Sequence, residues 1–178
     1  MFTYYGREWL DECARRINTS GRHLNTARRL DGRFCFRLYD GPDGKDRTAI
    51  WEFHQGTCTR IDFEARRAPW RELRQAEFDP SWIGRFSCSF DMMKKINRGE
   101  LSPARALVSL DYKVEGKKFL MAWLLPAINS WNQINASVPC VYEFSSTDED
   151  GNAVGTPTPA YAESSTRSKP TQPAPASS

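Results

Sequence analysis

Between Arg33 and Glu64 the apolar residues recur at every second position in three successive segments, a pattern that commits this part of the chain to a sheet. Phe34, Phe36 and Leu38 share one phase against Cys35, Arg37 and Tyr39. Trp51 and Phe53 then oppose Thr48 and Ile50, and Thr59, Ile61 and Phe63 alternate with Cys58, Arg60, Asp62 and Glu64. The turn-rich run Asp40 to Asp46 and the short stretch His54 to Gly56 separate these segments. The spacing therefore predicts a three-stranded antiparallel meander with one face buried and the other wet.

On either side the period lengthens to that of a helix. Trp9, Leu10, Cys13, Ala14 and Ile17 form a stripe that predicts a helix over Glu8 to Ile17, broken by Asn18 to Gly21. Leu24, Ala27 and Leu30 carry a second segment from His23 to Leu30, which Asp31-Gly32 ends. Ala65 to Pro80 reads as a long connection with one helical turn near Trp70 and Leu73. Alternation returns at Trp82 to Phe90, where Gly84, Phe86, Cys88 and Phe90 share a phase. Asp91 reads as the N-cap of a helix carrying Met92, Met93 and Ile96, and Ser102-Pro103 opens a short helix through Val108. Ser109 to Glu115 is a fifth strand, with Leu110, Tyr112 and Val114 opposite Asp111, Lys113 and Glu115. Lys117 to Ile134 is the longest apolar helix, and Pro126 inside it removes a backbone hydrogen bond and kinks or divides it. The expected fold is α+β: a single five-stranded, mainly antiparallel sheet covered by helices on one face.

Composition bounds the rest. Of 178 residues, the last 34, Ser145 to Ser178, hold five of the eleven prolines and only Val154 and Tyr161 as larger apolar side chains. Such a segment cannot offset the roughly 1–2 kcal/mol of backbone entropy lost per ordered residue, so residues 145–178 read as a disordered tail behind a domain of residues 1–144. The tail carries a net charge of −2 and the body +5, a mildly basic balance with no nucleic-acid recognition motif. Arginine and lysine clusters at Arg15-Arg16, Arg28-Arg29, Arg66-Arg67 with Arg71 and Arg74, and Lys94-Lys95 with Arg98 read as solvated faces. Their best functional use is weak docking on an anionic lipid surface or a partner enzyme. Five cysteines, at 13, 35, 58, 88 and 140, form no Cys-x-x-Cys pair, so neither a disulfide framework nor a metal site is signalled. No run of about 18 apolar residues exists and Met1 to Asp11 lacks signal-peptide features, which points to the cytoplasm.

The stretch from Trp82 to Ile134 resembles the sterol carrier, or non-specific lipid-transfer, domain family. Its elements read Phe86-Ser-Cys-Ser-Phe90, Asp91-Met-Met-Lys-Lys-Ile96, Gly99-Glu-Leu-Ser-Pro-Ala-Arg-Ala106, Leu110-Asp-Tyr-Lys-Val-Glu-Gly116 and the apolar helix. The family pattern is a strand, a short helix, Gly-Glu/Lys-Leu-x-Pro-x-x-Ala, a small residue before a Lys-Val/Ile-x-Gly strand, and a final apolar helix. Leu110 departs from the small residue, and two tryptophans and a proline are unusual in the last helix. The leading helix pair and the meander extend the resemblance to Arg7. It implies an apolar tunnel between sheet and helices that holds an acyl chain, a sterol or a similar apolar metabolite for carriage, transfer or presentation.

The expected walls of that tunnel are Phe34, Phe36 and Ile50 on the meander, Phe86 and Phe90 on the fourth strand, Met92, Met93 and Ile96 on its helix, and Phe119, Leu120, Trp123, Leu124 and Trp131 on the last helix. Thioethers such as the adjacent methionines adapt to ligands of varied shape. The same residues also describe a close-packed core. Such a carrier needs no cofactor, no metal and no catalytic residue. The alternative is an enzyme, or an enzyme accessory protein, that uses the same pocket on a lipid-like substrate, with Tyr112, Asp111 or His54 as acid or base. Glu52, His54 and Cys58 can be written as a Cys-His-Glu arrangement, although a histidine at a turn edge is ordinarily a solvated residue and Cys58 has no activating neighbour in sequence.

Overall fold

A computed structural model describes residues 1–106 and 108–144; the expected tail from Ser145 lies outside the described residues. In chain order the elements are β1 (Phe2–Thr3), α1 (Arg7–Thr19), α2 (Gly21–Thr26), β2 (Gly32–Tyr39), β3 (Lys45–His54), β4 (Thr57–Arg67) and α3 (Arg71–Gln75). There follow β5 (Trp82–Ser89), α4 (Phe90–Asn97), α5 (Pro103–Ala106), β6 (Tyr112–Gly116), α6 (Lys118–Trp123), α7 (Leu125–Ala136) and β7 (Cys140–Val141).

The sheet has five strands in the order β4-β3-β2-β5-β6. The β2–β3, β3–β4 and β5–β6 pairs are antiparallel and β2–β5 is parallel, so the α+β architecture with a mainly antiparallel sheet is observed. The parallel pair requires the chain to cross the sheet between β4 and β5, and the connection carrying α3 does so on the face opposite α1, α2 and α7. Its backbone reaches Arg37 and Arg85, which point to that face. The helix-covered face holds the core: Phe34, Leu38, Ala49, Trp51, Phe53, Ile61 and Cys88 from the sheet meet Trp9, Leu10, Cys13 and Ile17 of α1 and Leu124, Ala127, Ile128 and Trp131 of the last helices.

Local chemistry explains most boundaries. Ser20 ends α1 and caps α2, its hydroxyl accepting from the His23 N–H at 3.2 Å. The cap of α4 is Ser89, whose hydroxyl accepts from the Met92 N–H at 3.2 Å, and not the expected Asp91, which lies inside the helix and pairs with Lys94 and Lys95. A serine with extended backbone directly before the helical turn reaches that N–H, so the helix is capped two residues earlier than expected. Proline at 126 divides the long apolar segment into α6 and α7, with Pro126 in the first turn of the second helix, where its missing N–H costs little.

Three expectations of phase are corrected. A bulge between Glu52 and Phe53 pairs Glu52 with Arg60 but Phe53 with Cys58, so Thr59 is the extra residue and is exposed. Cys58 thereby joins the core beside Ile61, where strict alternation had placed it outward. Leu110 stands in a turn before β6, fully exposed, because the strand begins only at Tyr112. Two short strands were not expected. Phe2–Thr3 and Cys140–Val141 pair in parallel, and a two-residue ladder carries no periodicity to read.

Candidate functional site

The strand β6 is one edge of the sheet, and one side of α6 and α7 faces that edge while Trp131 of α7 packs onto the central strands β2 and β3. Gly116 makes the turn from β6 to α6 with φ of +129°, and a Cβ there would run into the Ile83 carbonyl. The Lys117 N–H donates to the same Ile83 carbonyl at 2.9 Å, which pins the start of α6 to β5. Between this edge and the two helices lies a mostly apolar, open-sided cavity of about 640 Å³. Phe86, Tyr112 and Val114 form its floor, Met121, Ala122, Leu125 and Ile128 its wall, and Lys113, Lys118, Asn129 and Asn132 its polar fringe. Burial pushes the Tyr112 phenol above its ordinary pKa, so the floor stays uncharged.

Deeper in, the volume between sheet and α7 is filled by one side chain. The Trp131 ring lies 5.7 Å from Phe34, 5.4 Å from Phe36, 5.1 Å from Trp51 and 4.8 Å from Phe53, centroid to centroid. Beyond it remains a pocket of about 50 Å³, lined by Tyr4, Tyr5, Trp9, Phe36, Trp51, Met93, Ile96 and Trp131 among others. Phe36 and Phe86 stack at 4.8 Å between this pocket and the edge cavity, and Asn132 borders both.

The expected wall residues separate into five groups. Phe86 alone lines the edge cavity, while Phe36, Met93, Ile96 and Trp131 surround the small inner pocket. Phe34, Phe90 and Leu124 are buried in the core, with Met92 and Leu120 packed half-buried against it. Ile50 pairs with Cys35 on the opposite face of the sheet from Phe34 and so shares no wall with it, as its phase with Thr48 requires. Phe119 and Trp123 point outward, 95% and 55% exposed, with the Arg29 guanidinium 4.9 Å from the Trp123 ring. Phe119 and Trp123, four residues apart, form the outer margin of the wide stripe, whose buried centre is Leu124, Ala127, Ile128 and Trp131. Sequence reasoning missed Val114, Met121, Leu125, Ile128, Asn129 and Asn132, and gave Tyr112 only a chemical role. For Met121, Leu125, Asn129 and Asn132 the signal is present as a second stripe, 118, 121, 122, 125, 129 and 132, at helical spacing beside the more apolar one.

The reactive side chains do not converge. His54 sits exposed at the β3–β4 turn, 2.9 Å from Asp31, and Glu52 lies on the outer face, whereas Cys58 is buried on the inner face with its thiol pushed up to about 12 by burial. The fully buried His23 is held at both ring nitrogens, 3.1 Å from the Ser130 hydroxyl and 3.1 Å from the Gly56 carbonyl, and so ties α7 to the β3–β4 turn. Desolvation lowers its pKa, which keeps the ring neutral, donating to the carbonyl through one nitrogen. Among the described residues no cluster of three potential metal ligands occurs, and no helix is long and apolar enough to cross a membrane.

No protein-family profile matches the sequence, and no curated protein matches it. Solved structures do resemble its fold. Sterol carrier protein 2 superposes with a TM-score of 0.58 at 15% identity, over 76% of this chain and 98% of that one. A conserved hypothetical protein of Thermus thermophilus, described as a candidate sterol carrier protein, gives 0.61 at 14% identity over 79% of this chain and 93% of its own. At these TM-scores the α+β arrangement of the five-stranded sheet and its helices is a sterol carrier protein-like fold.

Proposed function

We propose that this protein binds and carries an apolar ligand, an acyl chain or a molecule of similar shape, in the cavity between β6 and the α6–α7 pair. The cavity itself carries the reading. Its volume of about 640 Å³ falls within the range of roughly 300–1,000 Å³ typical of small-molecule sites. The floor and wall are apolar while Lys113, Lys118, Asn129 and Asn132 stand at the fringe, an arrangement that suits a ligand with one polar end. Each methylene taken from water contributes about 0.8 kcal/mol, so a dozen supply about 10 kcal/mol before the costs of association. Carriage by burial requires no reacting group. The likeness to sterol carrier protein 2 supports the same reading at the level of fold. In this proposal Trp131 closes the centre of the domain, and the ligand lies along the edge instead of threading the middle.

The outward side of α6 supports delivery at an anionic lipid surface. Phe119 and Trp123 are exposed there beside the exposed Lys117 and Lys118, and each basic residue near such a surface contributes about 1 kcal/mol. The test is native mass spectrometry of the freshly purified full chain, solvent extraction of whatever is released, and displacement of a fluorescent fatty acid. Leu125 lines the cavity but is half exposed, so Leu125→Glu is expected to leave the fold intact and weaken fatty-acid binding at least tenfold. A wild-type protein that carries no apolar molecule and takes up neither fatty acid nor sterol would overturn the proposal.

A further inference from the structure

The face of the sheet turned away from α1, α2 and α7 carries a second cavity, of about 480 Å³, with a different chemistry. Register places Arg37 of β2, Ser87 of β5 and Lys113 of β6 side by side across three strands, with Ser89 one step along from Ser87 on the same face. The β4–β5 crossover roofs one end. Arg37 Nη1 donates to the Ala76 carbonyl at 3.2 Å, and Arg85 Nη1 donates to the carbonyls of Ala76 and Glu77 at 2.9 and 2.7 Å.

Three of the four cations lining this cavity are already matched. Arg85 pairs with Glu115 at 2.6 Å, Lys113 shares that carboxylate at 3.1 Å, and Arg74 is held by Asp40 at 2.6 Å and Asp46 at 2.7 Å. Asp111 also borders the cavity. Arg37 differs from all of them. It is 3% exposed and has no carboxylate within 4.0 Å among the described residues. Its Nε is buried without a hydrogen-bond partner, and its one hydrogen bond to an oxygen is the bond to Ala76. A guanidinium taken out of water is costly unless an anion and its remaining acceptors are supplied, and its planar fork fits the oxygens of a phosphate or carboxylate.

We propose that this cavity is an oxyanion site for a phosphate group, in which Arg37 carries the charge while Ser87, Ser89 and Lys113 supply further donors around a tetrahedral ligand. The donors surround the site from three strands, which suits the several acceptor oxygens of a phosphate better than the two of a carboxylate. A soluble phosphate monoester and a phospholipid headgroup present the same group. The site lies on the opposite face of β6 from the apolar cavity, shares only Lys113 with it, and rests on Arg37 and not on the carrier reading.

The test titrates the full chain, in phosphate-free buffer, with inorganic phosphate by calorimetry and thermal shift. A parallel arm measures retention on phosphatidylcholine vesicles with and without phosphatidic acid. Saturable phosphate binding that raises the unfolding temperature, at least tenfold weaker in Arg37→Met, is the expected result. Arg37→Met removes the buried charge at similar length, so it is expected to fold and to melt no lower than wild type without phosphate. Should that variant fail to fold, Ser87→Ala, expected to weaken binding at least threefold, provides the same comparison. Binding of soluble phosphate alone assigns the ligand to a free ester. Retention dependent on phosphatidic acid and lost in the same variant assigns it to a headgroup. Absence of binding in both arms, or binding unaltered by the variants, overturns the proposal.

Discussion

The replacement of Trp131 tests both the packing and the cavity reading. The side chain is 1% exposed and packs against four aromatic rings of β2 and β3. A buried tryptophan removes on the order of 200 Å² from water, which at about 25 cal/mol per Å² amounts to about 5 kcal/mol. Two effects reduce this figure in Trp131→Ala. Alanine keeps the β-carbon, and the indole N–H of Trp131 is buried without a hydrogen-bond partner, so its loss relieves a desolvation penalty. The expected cost is about 3–5 kcal/mol, read as a lower urea midpoint with unchanged slope. Trp131→Phe keeps the ring contacts and removes the orphaned donor, so it is expected to cost under about 1.5 kcal/mol. The same truncation opens the centre of the domain toward the inner pocket beside Phe36 and Trp51, and an apolar cavity of this kind stays dry and accepts apolar molecules. Trp131→Ala is therefore expected to bind longer fatty acids more tightly than wild type while being less stable. A cost below about 1.5 kcal/mol for alanine, or equal costs for alanine and phenylalanine, would refute the view that this ring fills the centre.

Two further outcomes follow from buried titratable groups. Burial acts to raise the pKa of Asp46, but hydrogen bonds from Arg74 and from the Asp40 and Trp70 N–H groups outweigh it and hold the carboxyl below its ordinary value. Asp46→Asn is expected to lower stability at neutral pH by about 3 kcal/mol in urea unfolding, the lower end for a broken buried pair because Arg74 is partly exposed. Since the folded pKa is depressed, wild type retains this contribution above the ordinary value of 3.8 and loses it as pH falls through the folded pKa. The His23 pKa is depressed as well, so its contribution is complete above 6.5 and declines as pH falls below that value. The thermal midpoint of wild type is expected to drop as pH falls below 6.5, before most carboxylates titrate, and His23→Gln to flatten that limb. An unchanged slope in the variant would remove His23 from the account.

Sequence alone determined the elements whose signal is local. The period-two segments became β2, β3, β4 and β5, and the stripe of Trp9, Leu10, Cys13 and Ile17 became the buried face of α1. Pro126 divided the last helix because a proline acts on its own backbone. The motif from Gly99 to Gly116 placed the order of the C-terminal half, which the resemblance to sterol carrier domains anticipated. What only tertiary structure decided depends on partners distant in the chain. The bulge opposite Phe53 moved Cys58 into the core, since phase is set by the neighbouring strand as well as by alternation. The crossover before β5 buried Arg37, Arg85 and Asp46 on a face that alternation alone marks as wet, and turned Arg74 from an expected surface residue into the partner of Asp46. Apolar residues are interchangeable to periodicity, so the sequence could not separate Trp131, which fills space, from Met121 and Leu125, which border it. That distinction belongs to the meeting of α6, α7 and the edge of β6, because a cavity is a volume left between elements and no single element encodes it.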